Sequence, residues 1–168
     1  MKVLVVYFSR TGTTRRLAER LARELDGTLM PITETRSRLG LLGYPRSLIE
    51  AVSGRDVPID PPRRDPRDYD LVLIGTPVWG WHLSSPVRSF ARQWGRRLKR
   101  VAFFCTLGGS GDRPAFDELR RLCGKVPLAE LALQSSDLEH LARGDLRSRI
   151  QRYVRQLQPN ELALKRAA

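Results

Sequence analysis

The sequence predicts an α/β fold, a parallel sheet with helices packed on both faces. Three observations carry this reading. Residues 3–8, 70–74 and 100–105 are dominated by apolar side chains without polar alternation, as parallel strands covered on both sides require. The segments that follow them carry apolar residues at helical spacing. Each run also ends in a loop rich in hydroxyls, aromatics or glycine. At 168 residues, 41% of them hydrophobic, the chain suits one buried core better than two. Residues 1–158 are therefore read as one domain and 159–168 as a charged tail.

The elements follow in order. The first strand runs into Ser9-Arg10-Thr11-Gly12-Thr13-Thr14, and Leu17, Ala18, Leu21, Ala22 and Leu25 then mark a helix that Gly27 should end. Thr28-Leu29-Met30-Pro31-Ile32 reads as an edge strand, where proline is tolerated. Between residues 33 and 69 the pattern weakens. Leu39-Gly40-Leu41-Leu42-Gly43-Tyr44 is expected to cover apolar surface, as a lid, a homodimer contact or plain packing, and Leu48, Ile49 and Val52 suit a short helix. The proline-rich residues 57–66 read as an extended linker. After the second central strand comes the loop Gly75-Thr76-Pro77-Val78-Trp79-Gly80-Trp81-His82. Val87, Phe90, Ala91, Trp94 and Leu98 mark the next helix, with Trp94 expected in the core. The third central strand ends in Thr106-Leu107-Gly108-Gly109-Ser110-Gly111-Asp112. Phe116, Leu119 and Leu122 mark another helix, residues 128–133 a last strand, and Leu146, Ile150, Val154 and Leu157 the final helix.

Ligands of open parallel sheets bind outside the carboxyl ends of the strands, so these three loops should gather at one edge. The first precedes a helix N-terminus, where free N–H groups and the helix dipole favour an anion. Its hydroxyls add donors, each worth about 1.5–3 kcal/mol to a charged group. That suits a terminal phosphate monoester, although the same hydroxyls also cap helices well. The chain lacks G-x-G-x-x-G after the strand and G-x-x-x-x-G-K-[ST], which argues against a dinucleotide pyrophosphate and a nucleoside triphosphate. The aromatic loop suits a flat ring, and the glycine-rich loop lets backbone N–H groups approach it.

Four motifs in register now identify a resemblance: Tyr7-Phe8-Ser9-Arg10-Thr11-Gly12-Thr13-Thr14, Gly75-Thr76-Pro77-Val78-Trp79-Gly80, Ser85-Pro86-Val87-Arg88-Ser89-Phe90 and Phe104-Cys105-Thr106-Leu107-Gly108-Gly109-Ser110-Gly111. Together they resemble a short-chain flavodoxin-like protein. The resemblance implies a three-layer α/β/α fold, a five-stranded parallel sheet in the order 2-1-3-4-5, and FMN as cofactor. It implies that Ser9, Arg10, Thr11, Gly12, Thr13 and Thr14 form the phosphate loop. Thr76, Pro77, Val78, Trp79 and Gly80 would line the isoalloxazine, Trp79 in preference to Trp81. Thr106, Leu107, Gly108, Gly109, Gly111 and Asp112 would meet its pyrimidine side. The Trp79–Gly80 peptide lies where such proteins reorient a carbonyl toward reduced flavin. Flavodoxins usually carry a stacking tyrosine in the last of these loops and are strongly acidic. This chain has neither feature, so one flavin face is expected to be open or met by an aliphatic group, a substrate or another subunit.

The net charge is +12, and 26 of the 30 basic residues are arginine, a skew that a GC-rich genome produces by itself. The excess over 18 acidic residues still suggests an acidic redox partner, steered by opposite charge. Basic residues concentrate in 92–100, where a helix C-terminus favours cations, and again at Arg143, Arg147, Arg149, Arg152 and Arg155. Neither set carries a nucleic-acid motif, so nucleic acid is not the expected partner. Cys105 and Cys123 read as buried packing residues, and His82 and His140 lack metal-ligand spacing. His82 reads as a loop hydrogen-bonder rather than a catalytic acid, and no catalytic side chain is assigned, since the flavin performs the transfer. No membrane span or leader is expected, and the expected location is the cytoplasm. The function implied is electron transfer through bound FMN. The alternative is an FMN-dependent NAD(P)H or quinone oxidoreductase acting on a small acceptor.

Overall fold

The chain alternates strand and helix as far as a doubly wound sheet requires. The computed structural model describes residues 1–35, 56–138 and 144–158. The expected cover formed by residues 39–44, the helix at 48–52, His140, Arg143 and the tail at 159–168 lie outside the described residues. The elements are β1 (Val3–Tyr7), α1 (Thr13–Leu25), β2 (Thr28–Pro31), β3 (Leu71–Trp79), β4 (His82–Leu83), α2 (Ser85–Trp94), β5 (Val101–Leu107), α3 (Asp112–Cys123), β6 (Glu130–Gln134), α4 (Ser135–Leu138) and α5 (Gly144–Leu157).

The parallel strands lie in the order β2-β1-β3-β5-β6, which is the expected 2-1-3-4-5 once β4 is set aside. The short β4 was not expected. It turns back antiparallel on the end of β3, pairing Trp79 with His82 and Val78 with Leu83. Alternate residues of the central strands enter two separate cores. Leu4, Val6, Val72, Ile74, Phe103 and Cys105 meet Val87 and Phe90 of α2 and Phe116 and Leu119 of α3. Val5, Leu71, Leu73 and Phe104 meet Leu17 and Leu21 of α1 and Ile150 and Val154 of α5. Trp94 packs against the first core half-buried, with the Arg67 guanidinium 5.8 Å above its ring.

Strand β3 is longer than expected. Gly75-Thr76-Pro77-Val78-Trp79, read as a loop, continues the strand. β1 stops pairing at Tyr7 opposite Gly75, whereas β5 pairs on to Thr106 opposite Pro77. The Gly75 carbonyl accepts from Phe8 N–H at 3.2 Å, so odd-numbered residues of β3 turn their backbone groups toward β1. Pro77 therefore lacks its N–H on the side where β1 has already ended, and the central strand tolerates it. Helix α1 also ends one residue early. Asp26, at φ +47°, takes the left-handed position expected of Gly27.

The basic stretch 92–100 closes α2 and leads into the start of β5, at the opposite end of the sheet from the three loops. Two of its cations pair with acids, Arg92 with Asp56 at 3.2 Å and Lys99 with Asp70 at 3.5 Å. Arg149 of α5 donates to the Ala132 carbonyl at 2.6 Å and pairs with Asp137 at 3.2 Å, so it ties α5 to the sheet.

Cys105 and Cys123 are free and buried. Burial pushes the Cys123 thiol up to about 11 and raises the Cys105 thiol and the Tyr153 phenol as well. All three shifts favour the protonated form in the folded state. Above an unfolded thiol pKa near 9 the unfolded chain binds fewer protons than the folded one, so stability must fall as pH rises. Urea midpoints should decline steadily between about pH 9 and 11, and a flat profile over that window would contradict these burials.

Candidate functional site

The carboxyl ends of β1, β3 and β5 place the three loops together, and internal bonds lock them to one another. In the first loop, Gly12 at φ +89° ends the turn and caps α1 without a side-chain bond, leaving first-turn N–H groups directed at the loop. The first turn of α1 holds no acidic residue. Ser9 Oγ accepts from the Gly12 N–H at 3.1 Å, and the Thr11 and Thr13 hydroxyls lie 3.2 Å apart. Thr11 and Arg10 are exposed, and Ser9, Gly12 and Thr13 half-buried. These groups form a polar cradle, accessible and rich in donors.

Thr14 differs from its neighbours. Its hydroxyl is buried and lies 2.8 Å from the equally buried hydroxyl of Thr106, tying the first loop to the end of β5. Thr76 is likewise fully buried. Its hydroxyl donates to the Pro77 carbonyl at 2.8 Å, lies 3.1 Å from Ser84 Oγ and accepts from Ser84 N–H at 3.3 Å. Pro77, Val78 and Leu107 are buried as well. These six residues are buried and brace the site from within.

The second loop is a two-residue hairpin. Gly80 at φ +55° and Trp81 at φ +72° occupy the left-handed positions that so tight a return demands. Gly80 takes this conformation freely, whereas Trp81 pays the Cβ strain of a bulky residue while remaining 62% exposed. Trp79 is half-buried. Its ring meets Phe8 edge-on at 6.3 Å between centroids, and the Arg10 guanidinium lies 5.9 Å above it. The first two loops therefore share an aromatic and cationic wall.

The third loop carries Gly108, Gly109 and Ser110, all exposed, before Gly111 at φ +117° starts α3. A Cβ on Gly111 would lie 2.9 Å from Trp81 Cα and 3.2 Å from Val78 Cγ1, so only glycine lets hairpin and loop touch. Cβ atoms on Gly108 and Gly109 would meet nothing within 4 Å. Asp112 stands in the first turn of α3. Of the two glycine-capped helix starts among the described residues, α3 holds an acid and α1 holds none, so the field at α1 suits an anion better.

His82, on β4, is exposed. Among the described residues, no group of His, Cys, Asp and Glu could hold a metal, and no helix is long and apolar enough to cross a membrane. Two participants were given no role from sequence, buried Arg88 and half-buried Glu118, which pair behind the hairpin at 2.6 Å. Arg88 adjoins Val87 on the apolar face of α2, and that position was the available signal.

The flavodoxin family's sequence profile matches residues 2–146, and the chain belongs to that family. No curated protein matches it in sequence. Among solved structures, it is similar to a flavoprotein from Lactobacillus acidophilus NCFM determined in complex with FMN, at 22% identity and a TM-score of 0.62, over 84% of this chain and 99% of that one. It also resembles a flavodoxin, WrbA-like protein, from Agrobacterium tumefaciens, at 19% identity and a TM-score of 0.53, over 94% and 99% of the two chains. A third neighbour is an NADH:FMN oxidoreductase in its apo form, at 16% identity and a TM-score of 0.56, over 94% and 89%.

Proposed function

We propose that the protein binds FMN and transfers electrons through it. The observation that carries this reading is the union of an acid-free, hydroxyl-lined helix start with an aromatic wall at one sheet edge. Ser9, Thr11, Gly12 and Thr13 hold the phosphate, with Arg10 beside them. Trp79 and Gly80 line the ring, and the backbone of Gly108, Gly109, Gly111 and Asp112 meets its pyrimidine side. Thr14, Thr76, Pro77, Val78, Thr106 and Leu107 serve the site through position and backbone. When bound, FMN supplies the electron or hydride chemistry, and the chain holds and orients it. An absorbance spectrum of the purified protein, with FMN titrated into the stripped form, tests the assignment. Failure to bind a stoichiometric flavin would reject it.

A second reading has its own support. A Cβ added at Gly108 or Gly109 would meet nothing within 4 Å, so the third loop leaves open space through which a small acceptor or a nicotinamide would reach the ring. Under that reading the protein is an NAD(P)H- or quinone-linked oxidoreductase. Stopped-flow mixing with NADH and NADPH separates the two, since a carrier shows no rapid flavin bleaching. An acidic partner protein fits the excess charge of +12. A cytoplasmic setting, where thiols stay reduced, fits the two free buried cysteines.

Gly80 serves the hairpin and, in our reading, would also let the Trp79–Gly80 peptide reorient its carbonyl toward a bound flavin. Gly80→Ala should cost about 1–2 kcal/mol of stability from the left-handed φ, since a Cβ there meets no neighbour. A hindered rotation costing about 1.4 kcal/mol would shift the first one-electron potential by roughly 60 mV. A potentiometric titration showing an unmoved potential would leave Gly80 with the turn alone.

A further inference from the structure

Behind the hairpin lies an ion pair whose placement the packing of α2 does not explain. Arg88 is 2% exposed, a cost that only pairing offsets. Its Nε lies 2.6 Å from Glu118 Oε1 on α3. Its Nη2 lies 3.4 Å from Glu118 Oε2 and donates to the Leu83 carbonyl at 3.3 Å. Nη1 is buried with no partner among the described residues. Val87, Phe90 and Ala91 already seat α2 on the sheet, and buried ion pairs can often be replaced by apolar residues with no loss of stability. What an apolar residue cannot do is hold a carbonyl of β4. Leu83 is the residue that pairs with Val78, one step from Trp79. On the neighbouring residue, Ser84, the Thr76 hydroxyl makes a second polar tie to the same return strand.

We propose that Arg88 is a positioning residue: with Glu118 it fixes the Leu83 carbonyl, and through it the hairpin that presents Trp79 and Gly80 to the flavin ring. This rests on the FMN reading for its consequence, though the positioning itself is read without flavin. Neither Arg88 nor Glu118 belongs to the phosphate loop, so the effect falls on the ring half of the ligand. Binding of FMN and of riboflavin should weaken by the same factor, whereas damage to the phosphate loop separates them.

The test compares Arg88→Met, Arg88→Lys and Glu118→Gln in the full chain. Arg88→Met keeps the stem and removes the fork; it leaves the Glu118 carboxylate without its partner, so some stability is lost, but amide hydrogen exchange of residues 78–83 should quicken about tenfold more than that of the central strands β1 and β5. FMN and riboflavin affinities should each fall about tenfold, a change equivalent to roughly 1.4 kcal/mol, with an altered visible circular dichroism of the bound ring. Arg88→Lys, a charge without the planar fork, should recover little of this, and Glu118→Gln, which keeps an acceptor for Nε, should recover most. If Arg88→Met fails to fold, the lysine variant carries the same comparison. A folded variant with unchanged exchange at 78–83 and unchanged ring dichroism would overturn the proposal. A parent that binds no flavin would instead reject the FMN reading, and the exchange measurement would still decide the role of Arg88.

Discussion

Replacing Thr11 and Thr13 together by valine should weaken FMN binding by roughly 10²- to 10⁴-fold, at two hydrogen bonds of about 1.5–3 kcal/mol each to a charged group. Riboflavin, which lacks the phosphate, should lose almost nothing. The contrast is clean because these hydroxyls are accessible and bond to each other at 3.2 Å, so valine leaves the fold intact. Thr14 would not serve, since its hydroxyl joins Thr106 in the interior. Parallel calorimetric titrations with the two flavins make the comparison. Equal losses would move the phosphate to another part of the edge.

The largest stability effect is expected at Gly75, where β3 leaves the shelter of β1. A Cβ there would lie 2.1 Å from Phe104 Cζ and 2.3 Å from Cε2, inside the core that α1 and α5 cover. A buried ring cannot move more than 1 Å without displacing its neighbours, so Gly75→Ala should cost about 3 kcal/mol, at the upper end for overpacking. Trimming the ring in the same chain, as Gly75→Ala with Phe104→Leu, should recover much of that loss and show a coupling of about 1 kcal/mol or more. Urea unfolding of the four proteins measures both. Additive losses would mean that the ring already has room to yield.

The parts legible in the sequence were those in which local pattern and tertiary environment agree. Residues 3–7 are apolar without interruption because both sheet faces are covered, and Leu17, Leu21 and Ala22 fall on one face because α1 packs there. β3 was legible only as far as Ile74. Gly75-Thr76-Pro77 has turn chemistry when read alone, and only the unequal lengths of β1 and β5 make it strand. The site divided in the same way. Hydroxyl residues at 11, 13, 14, 76 and 106 are plain in the sequence, but their directions depend on partners 92 residues away for Thr14 and 8 away for Thr76. Arg88 was hidden for the opposite reason: arginine abounds in this chain, and a place beside Val87 on α2 does not by itself separate a buried one from the exposed majority.

The contact between Gly111 and Trp81 has an evolutionary consequence. Two loops separated by a helix and a strand touch where Gly111 has no space for another carbon. Relatives that acquire a side chain at the position of Gly111 must lengthen or retract the hairpin in the same lineage, and those with a longer hairpin are free to lose the glycine. The two loops should therefore drift as one unit, and a larger side chain could not be placed at Gly111 by a single substitution.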